Sequence, residues 1–130
     1  MKTKFFFKFH LILALLIYAG CNSYPDTTIW KDGNYFVLSG TSPELCYLIN
    51  NGDWLIRASN VKRIGSNKHF IIIETQGNIN KEYWVIDKNK EVMLAESLES
   101  MKGPMDSIEF HTYLRNIQET EIRFTEEYKF

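Results

Sequence analysis

The sequence predicts a mainly β domain of the α+β class, completed by one C-terminal helix. Three observations lead there. Between residues 29 and 94, short apolar runs rich in β-branched and aromatic side chains alternate with clusters of Gly, Asn, Asp, Ser and Pro, the punctuation of strands joined by tight turns. No interval between those runs has room for a crossover helix, so neighbouring strands pair antiparallel, as a meander of about six to seven. After Met105 the apolar spacing changes to that of a helix. The composition agrees: 130 residues at 45% hydrophobic and 24% charged describe one domain with a core, not a disordered or multidomain chain.

The chain opens differently. Lys2, Lys4 and Lys8 lie among phenylalanines, Leu11 to Ala19 is continuously apolar, and Gly20-Cys21 ends the run. This is the order of an export signal: charged region, apolar region, small-residue cleavage site. The apolar stretch is about half the roughly 20 residues that a spanning helix needs. Tyr18-Ala19-Gly20-Cys21 resembles a bacterial lipobox, with Tyr18 where an aliphatic residue is usual. That resemblance implies a diacylglyceryl thioether on Cys21 and cleavage just before it. Residues 1–20 are then a lipoprotein signal peptide, 21–28 a lipidated tether and 29–130 a single globular domain. Several acyl chains hold such a chain on its membrane, whereas one alone anchors only marginally. By the same resemblance, Asn22 after the cysteine implies the periplasmic face of the outer membrane in a host with two membranes.

The strand candidates follow in order: Tyr35-Phe36-Val37-Leu38, Cys46 to Ile49, Trp54-Leu55-Ile56, Val61 to Ile64, Phe70-Ile71-Ile72-Ile73, Tyr83-Trp84-Val85-Ile86 and Val92-Met93-Leu94. Asn51-Gly52 has the residues of a two-residue type I′ hairpin. Several runs are apolar at consecutive positions, which requires cover on both faces. A curled sheet, a small barrel, a sandwich or a partner surface each supplies it.

The helix is the most fully specified element. Asp106 and Glu109 make a capping box, Met105 and Phe110 take the staple positions, and Phe110, Tyr113, Leu114 and Ile117 recur at helical spacing. The expected span is residues 107–117, its stripe laid on the sheet. A helical turn over residues 96–101, stopped by Gly103-Pro104, is expected before it, and a last extended segment around Ile122, Phe124 and Tyr128 after it.

Charge and cysteine count narrow the function. From residue 21 onward 12 basic residues face 16 acidic ones, a poor balance for nucleic acid. With Cys21 carrying lipid, Cys46 has no disulfide partner and reads as a small buried hydrophobe. His69 and His111 lack neighbours at metal-ligand spacing, and no elbow, phosphate loop or dinucleotide fingerprint occurs. No catalytic residue, metal or cofactor is therefore assigned. Lys62, Arg63 and Lys68 form the basic cluster, a candidate contact for lipid phosphate or another anionic envelope polymer.

Val61-Lys62-Arg63-Ile64-Gly65, Tyr83-Trp84-Val85-Ile86-Asp87 and Gly103-Pro104-Met105, with Phe110, Leu114 and Ile122-Arg123-Phe124, resemble in order and spacing a family of small bacterial proteins. Its members are often lipoproteins and are catalogued as a domain of unknown function. The resemblance covers about residues 30–125 and implies a fold without implying a chemistry. The expected function is thus that of a membrane-anchored lipoprotein of the bacterial cell envelope, a non-enzymatic binding domain with a protein partner there. The alternatives are an immunity lipoprotein neutralising a toxin, or a small envelope hydrolase. Convergent carboxylates of raised pKa in a cleft favour the hydrolase; a flat or convex surface with an exposed aromatic patch favours binding.

Overall fold

Hairpin pairing builds two antiparallel sheets, and the join between them is a single residue. The computed structural model describes residues 27–40, 45–52, 54–90 and 100–128. Strands β1 (Thr27–Asp32), β2 (Tyr35–Ser39), β3 (Cys46–Asn50) and β4 (Leu55–Ser59) form the first sheet in that order. The second runs β8-β7-β6-β5-β9, from β5 (Val61–Ser66), β6 (Phe70–Gln76), β7 (Lys81–Asp87), β8 (Met101–Met105) and β9 (Glu126–Glu127). The helix α1 (Ser107–Asn116) lies between β8 and β9 in the chain.

Asn60 separates β4 from β5 with φ 60°, a left-handed conformation that Asn enters more readily than most residues. Its side-chain Nδ2 donates to the Gln76 carbonyl, and its own carbonyl accepts from Gln76 N–H, both at 3.1 Å. Pinned to the end of β6, this corner sends β5 out of the first sheet to start the second.

Three layers result. Val37, Cys46, Leu48 and Ala58 from the first sheet meet Val61, Ile64, Ile71, Ile73 and Ile86 from the second in one apolar core. On the other face of the second sheet, Ile72 and Val85 pack beneath Phe110, Leu114 and Ile122. Consecutive isoleucines in β6 are thereby explained: Ile71 and Ile73 face one layer, Ile72 the other. Asp32 and Lys88 tie the two sheets at their rim with a 2.7 Å ion pair.

The helix begins as its capping box dictates. Asp106 accepts from Ile108 N–H and Glu109 N–H at 2.8 Å, and Glu109 Oε2 accepts from Asp106 N–H at 3.0 Å. It ends in a Schellman motif: Gln118 takes φ 59°, its N–H donates to Arg115 O, and Glu119 N–H donates to Leu114 O. That reversal throws the chain back along the second sheet toward β9.

Some expectations hold, others are corrected, and a few lie outside the described residues. The expected class holds: the described residues are mainly β with one helix near the C-terminus, their nine strands paired antiparallel in two sheets, neither closed into a barrel. The Asn51-Gly52 connection has four residues, because Asn50 pairs with Leu55 and Trp54, at φ 58°, donates its N–H to Asn50 O; the two-residue turn is Gly33-Asn34, between paired Asp32 and Tyr35. Thr27 and Thr28, assigned to the tether, belong to β1. Gly103-Pro104 is not the helix stop expected: it stands inside β8, which begins at Met101 directly after the helical Ser100. A Cβ on Gly103 would meet the Trp84 ring at 2.6 Å at φ 142°, so the bare glycine lets the indole of β7 lie across β8. The Val92-Met93-Leu94 run and residues 96–99 lie outside the described residues.

Candidate functional site

A cleft of about 590 Å³ opens between α1, the second sheet and the segment after the helix. Its floor is apolar. Tyr83 and Phe110 stack with centroids 4.9 Å apart, and Phe124 lies 6.1 Å from Phe110 and 6.5 Å from Tyr83. Ile72, Leu114 and Ile122 complete it.

Three arginines, with His111 and Thr120, line the rest. Strand β5 contributes Arg63, the exposed face of α1 contributes His111 and Arg115, and the return segment contributes Arg123. No carboxylate lines the cleft among the described residues. Acids stand just outside it. Glu126 and Glu127 share the adjoining groove with Arg63 and Arg123, and Glu119 is held by Asn67 Nδ2 at 2.7 Å.

Each cation is positioned by identifiable contacts. The Arg63 guanidinium lies 4.1 Å from the Phe124 ring centroid, a cation–π geometry. Its Nε is 3.2 Å from Glu74 Oε2, while Lys81 Nζ is 2.9 Å from the other oxygen. Glu74 is only 2% exposed, and a buried carboxylate needs such charged neighbours. In return the Glu74 hydrogen bond and charge raise the Lys81 pKa. Cross-strand pairing of Arg63 with Glu74 and of Glu74 with Tyr83 sets this row. Arg123 Nη1 donates to Thr120 O at 2.6 Å and Ile122 O at 3.0 Å, and Arg115 Nη2 to Thr112 Oγ1 at 3.2 Å. His111 Nδ1 is 2.6 Å from Ser107 O. A carbonyl only accepts, so Nδ1 carries the proton and Nε2 is the ring's free position.

Gly65 allows the return segment to come this close. A Cβ there would sit 1.9 Å from Arg123 O and 2.9 Å from Phe124 Cα. With hydrogen in its place, Thr125 N–H reaches Ile64 O at 2.9 Å and Tyr128 N–H reaches Lys62 O at 2.8 Å. The Tyr128 hydroxyl is pushed up to about 12, by burial first and then by the Glu126 and Cys46 charges.

The structure parts the basic trio expected from sequence. Arg63 faces the cleft. Lys62 occupies the irregularity in β5 between Val61 and Arg63, where its charge acts on the Cys46 thiol; burial pushes that thiol up and Lys62 pulls it partly back. Lys68 is exposed in the β5–β6 turn, on the order of 15 Å along the chain from Arg63. Arg115 and Arg123, assigned no role from sequence, take their places in the cleft. Arg115 was traceable, one helical turn from His111; Arg123 depended on the reversal at Gln118.

Among the described residues, no three His, Cys, Asp or Glu side chains group as a metal site, and no helix is long and apolar enough to cross a membrane. Cys46 is buried and forms no disulfide among the described residues. Cys21 lies outside the described residues. The motifs behind the family resemblance fall on β5, β7, β8, α1 and the return segment. Neither family models, curated proteins nor solved structures yield a match to this chain.

Proposed function

We propose that this chain is a lipid-anchored, non-enzymatic binding domain of the bacterial envelope, whose cleft takes an anionic group attached to an apolar or aromatic body. One observation carries the ligand reading: three arginines converge on an aromatic floor, and no carboxylate lines that cleft among the described residues. Guanidinium forks suit phosphate or carboxylate heads, and the stacked rings suit the apolar part. A hydrolase would want carboxylates of opposed roles at this position; the cleft offers cations. The anchor rests on the lipobox sequence at Cys21.

Octyl phosphate, titrated calorimetrically into the folded chain below its micelle concentration, tests the cleft. Inorganic phosphate supplies the head alone and octyl glucoside the tail alone; both bind more weakly on this reading. Arg123→Gln, losing one charge-assisted contact, weakens octyl phosphate by about tenfold or more. Equal binding by the variant contradicts the proposal. The anchor is tested separately: Cys21→Ser moves the chain from membrane to soluble fractions, and unchanged membrane retention refutes lipidation.

A further inference from the structure

The outer face of the first sheet is apolar where an antiparallel sheet facing water is ordinarily polar. Val37, Leu48 and Ala58 point into the core, so their strand neighbours point away from it. Register then aligns Lys31, Phe36, Ile49 and Ile56 in one cross-strand row, and Thr28, Leu38, Tyr47 and Ser59 in the next. Ile56 is 58% exposed and Trp54, in the turn leading into β4, 68%, while Ile49 is buried and Phe36, Leu38 and Tyr47 are half-buried. Lys31 supplies a cation, its Nζ 5.0 Å from the Phe36 centroid. Neither row contains an acid, whereas the chain as a whole carries 16.

The tether states what covers this face. Strand β1 is the edge of this sheet and begins at Thr27, six residues after Cys21. Six residues span at most about 22 Å, so an anchor at Cys21 keeps the β1 edge of this sheet within that distance of the bilayer. Aliphatic side chains, a tyrosine, a tryptophan and a lysine are also the residue types that settle at a lipid interface.

We propose that the outer face of the first sheet lies on the membrane, seated on lipid headgroups and upper acyl chains. The inference rests on the lipid-anchor reading and extends it from attachment to orientation. Helix α1 and its cleft are two layers away, so the cleft opens away from the bilayer. The body is thus held flat by its own sheet rather than swinging on its leash.

The full lipidated chain, purified from its membranes and placed in phosphatidylethanolamine–phosphatidylglycerol vesicles with an acyl-chain spin quencher, provides the test. An environment-sensitive dye goes on Ile56→Cys, and for comparison on Ile79→Cys in the β6–β7 turn or Ile108→Cys on α1; these last two positions are 87% and 79% exposed. All three sites are exposed, so each substitution removes little buried surface. The expected result is quenching several-fold stronger at position 56 than at 79 or 108. Equal quenching at the three positions overturns the proposal. Dye–dye self-quenching at position 56 that rises with protein density, without lipid quenching, also overturns it and assigns the face to a second copy. Failure of the chain to sediment with vesicles overturns the anchor reading, and this inference with it, by a signal distinct from the quenching.

Discussion

Gly65→Ala isolates the contact that makes the cleft. The added methyl would lie 1.9 Å from Arg123 O, 2.8 Å from Arg123 C and 2.9 Å from Phe124 Cα. Non-bonded heavy atoms settle near 3.5–4.0 Å, and every obstructing atom is backbone, so no rotamer change relieves the clash. The return segment must withdraw by on the order of 1.5 Å. The hydrogen bonds Thr125 N–H to Ile64 O and Tyr128 N–H to Lys62 O, at 2.9 and 2.8 Å, then stretch past useful length at about 1 kcal/mol each. Overpacking adds about 1–3 kcal/mol. The total, roughly 3–5 kcal/mol, is a large share of the about 5–15 kcal/mol that holds a typical domain. Urea unfolding followed by tryptophan fluorescence measures the loss, and hydrogen exchange at the Thr125 amide locates it. Because Arg123 and Phe124 travel with the segment, octyl phosphate affinity falls too. An unchanged urea midpoint with an equally protected Thr125 amide would refute the reasoning.

Other perturbations test other joints. Asp106→Ala removes an acceptor shared by two helix N–H groups and is expected to cost about 1 kcal/mol in thermal or urea unfolding. Asn60→Gly keeps the left-handed corner accessible, whereas Asn60→Val adds about 1–2 kcal/mol of backbone strain; the pair should separate clearly in unfolding midpoint. Burial acts to raise the Asp32 pKa, but hydrogen bonds from Lys88 and Ser66 and the Lys88 charge outweigh it and leave it below its ordinary 3.8. A carboxylate lowered in the folded state stabilises fully above its unfolded value and loses that contribution as pH falls through the folded one. The stability gap between wild type and Asp32→Asn, read by urea unfolding, should therefore hold from neutral pH to about pH 5 and close below about pH 4.

The sequence disclosed local physics well and long-range geometry poorly. The capping box at Asp106 and Glu109 and the stripe through Phe110 and Leu114 were readable because every interaction spans four residues or fewer. Consecutive apolar residues in β6 announced cover on both faces, yet not its source. The division into two sheets rests on one left-handed residue, Asn60, whose neighbours Ser59 and Val61 carry no strong turn signal. The Asn51-Gly52 pair misled by masking a longer loop with Trp54 as its left-handed member. Arg63 was singled out for its sequence neighbours Lys62 and Lys68, but pleating and the irregularity in β5 part them. Its partners in the cleft, Arg115 and Arg123, come from α1 and from beyond the reversal at Gln118, a juxtaposition that only tertiary structure creates.

Native top-down mass spectrometry of the chain, released from the membranes of the cells that make it, addresses anchor and cleft together. A polypeptide beginning at Cys21 with the added mass of a diacylglyceryl group, and carrying an anionic amphiphile that gas-phase activation expels, is the predicted spectrum. A chain with an unmodified Cys21 thiol and no such adduct, in preparations where Arg123→Gln looks the same as wild type, would contradict it.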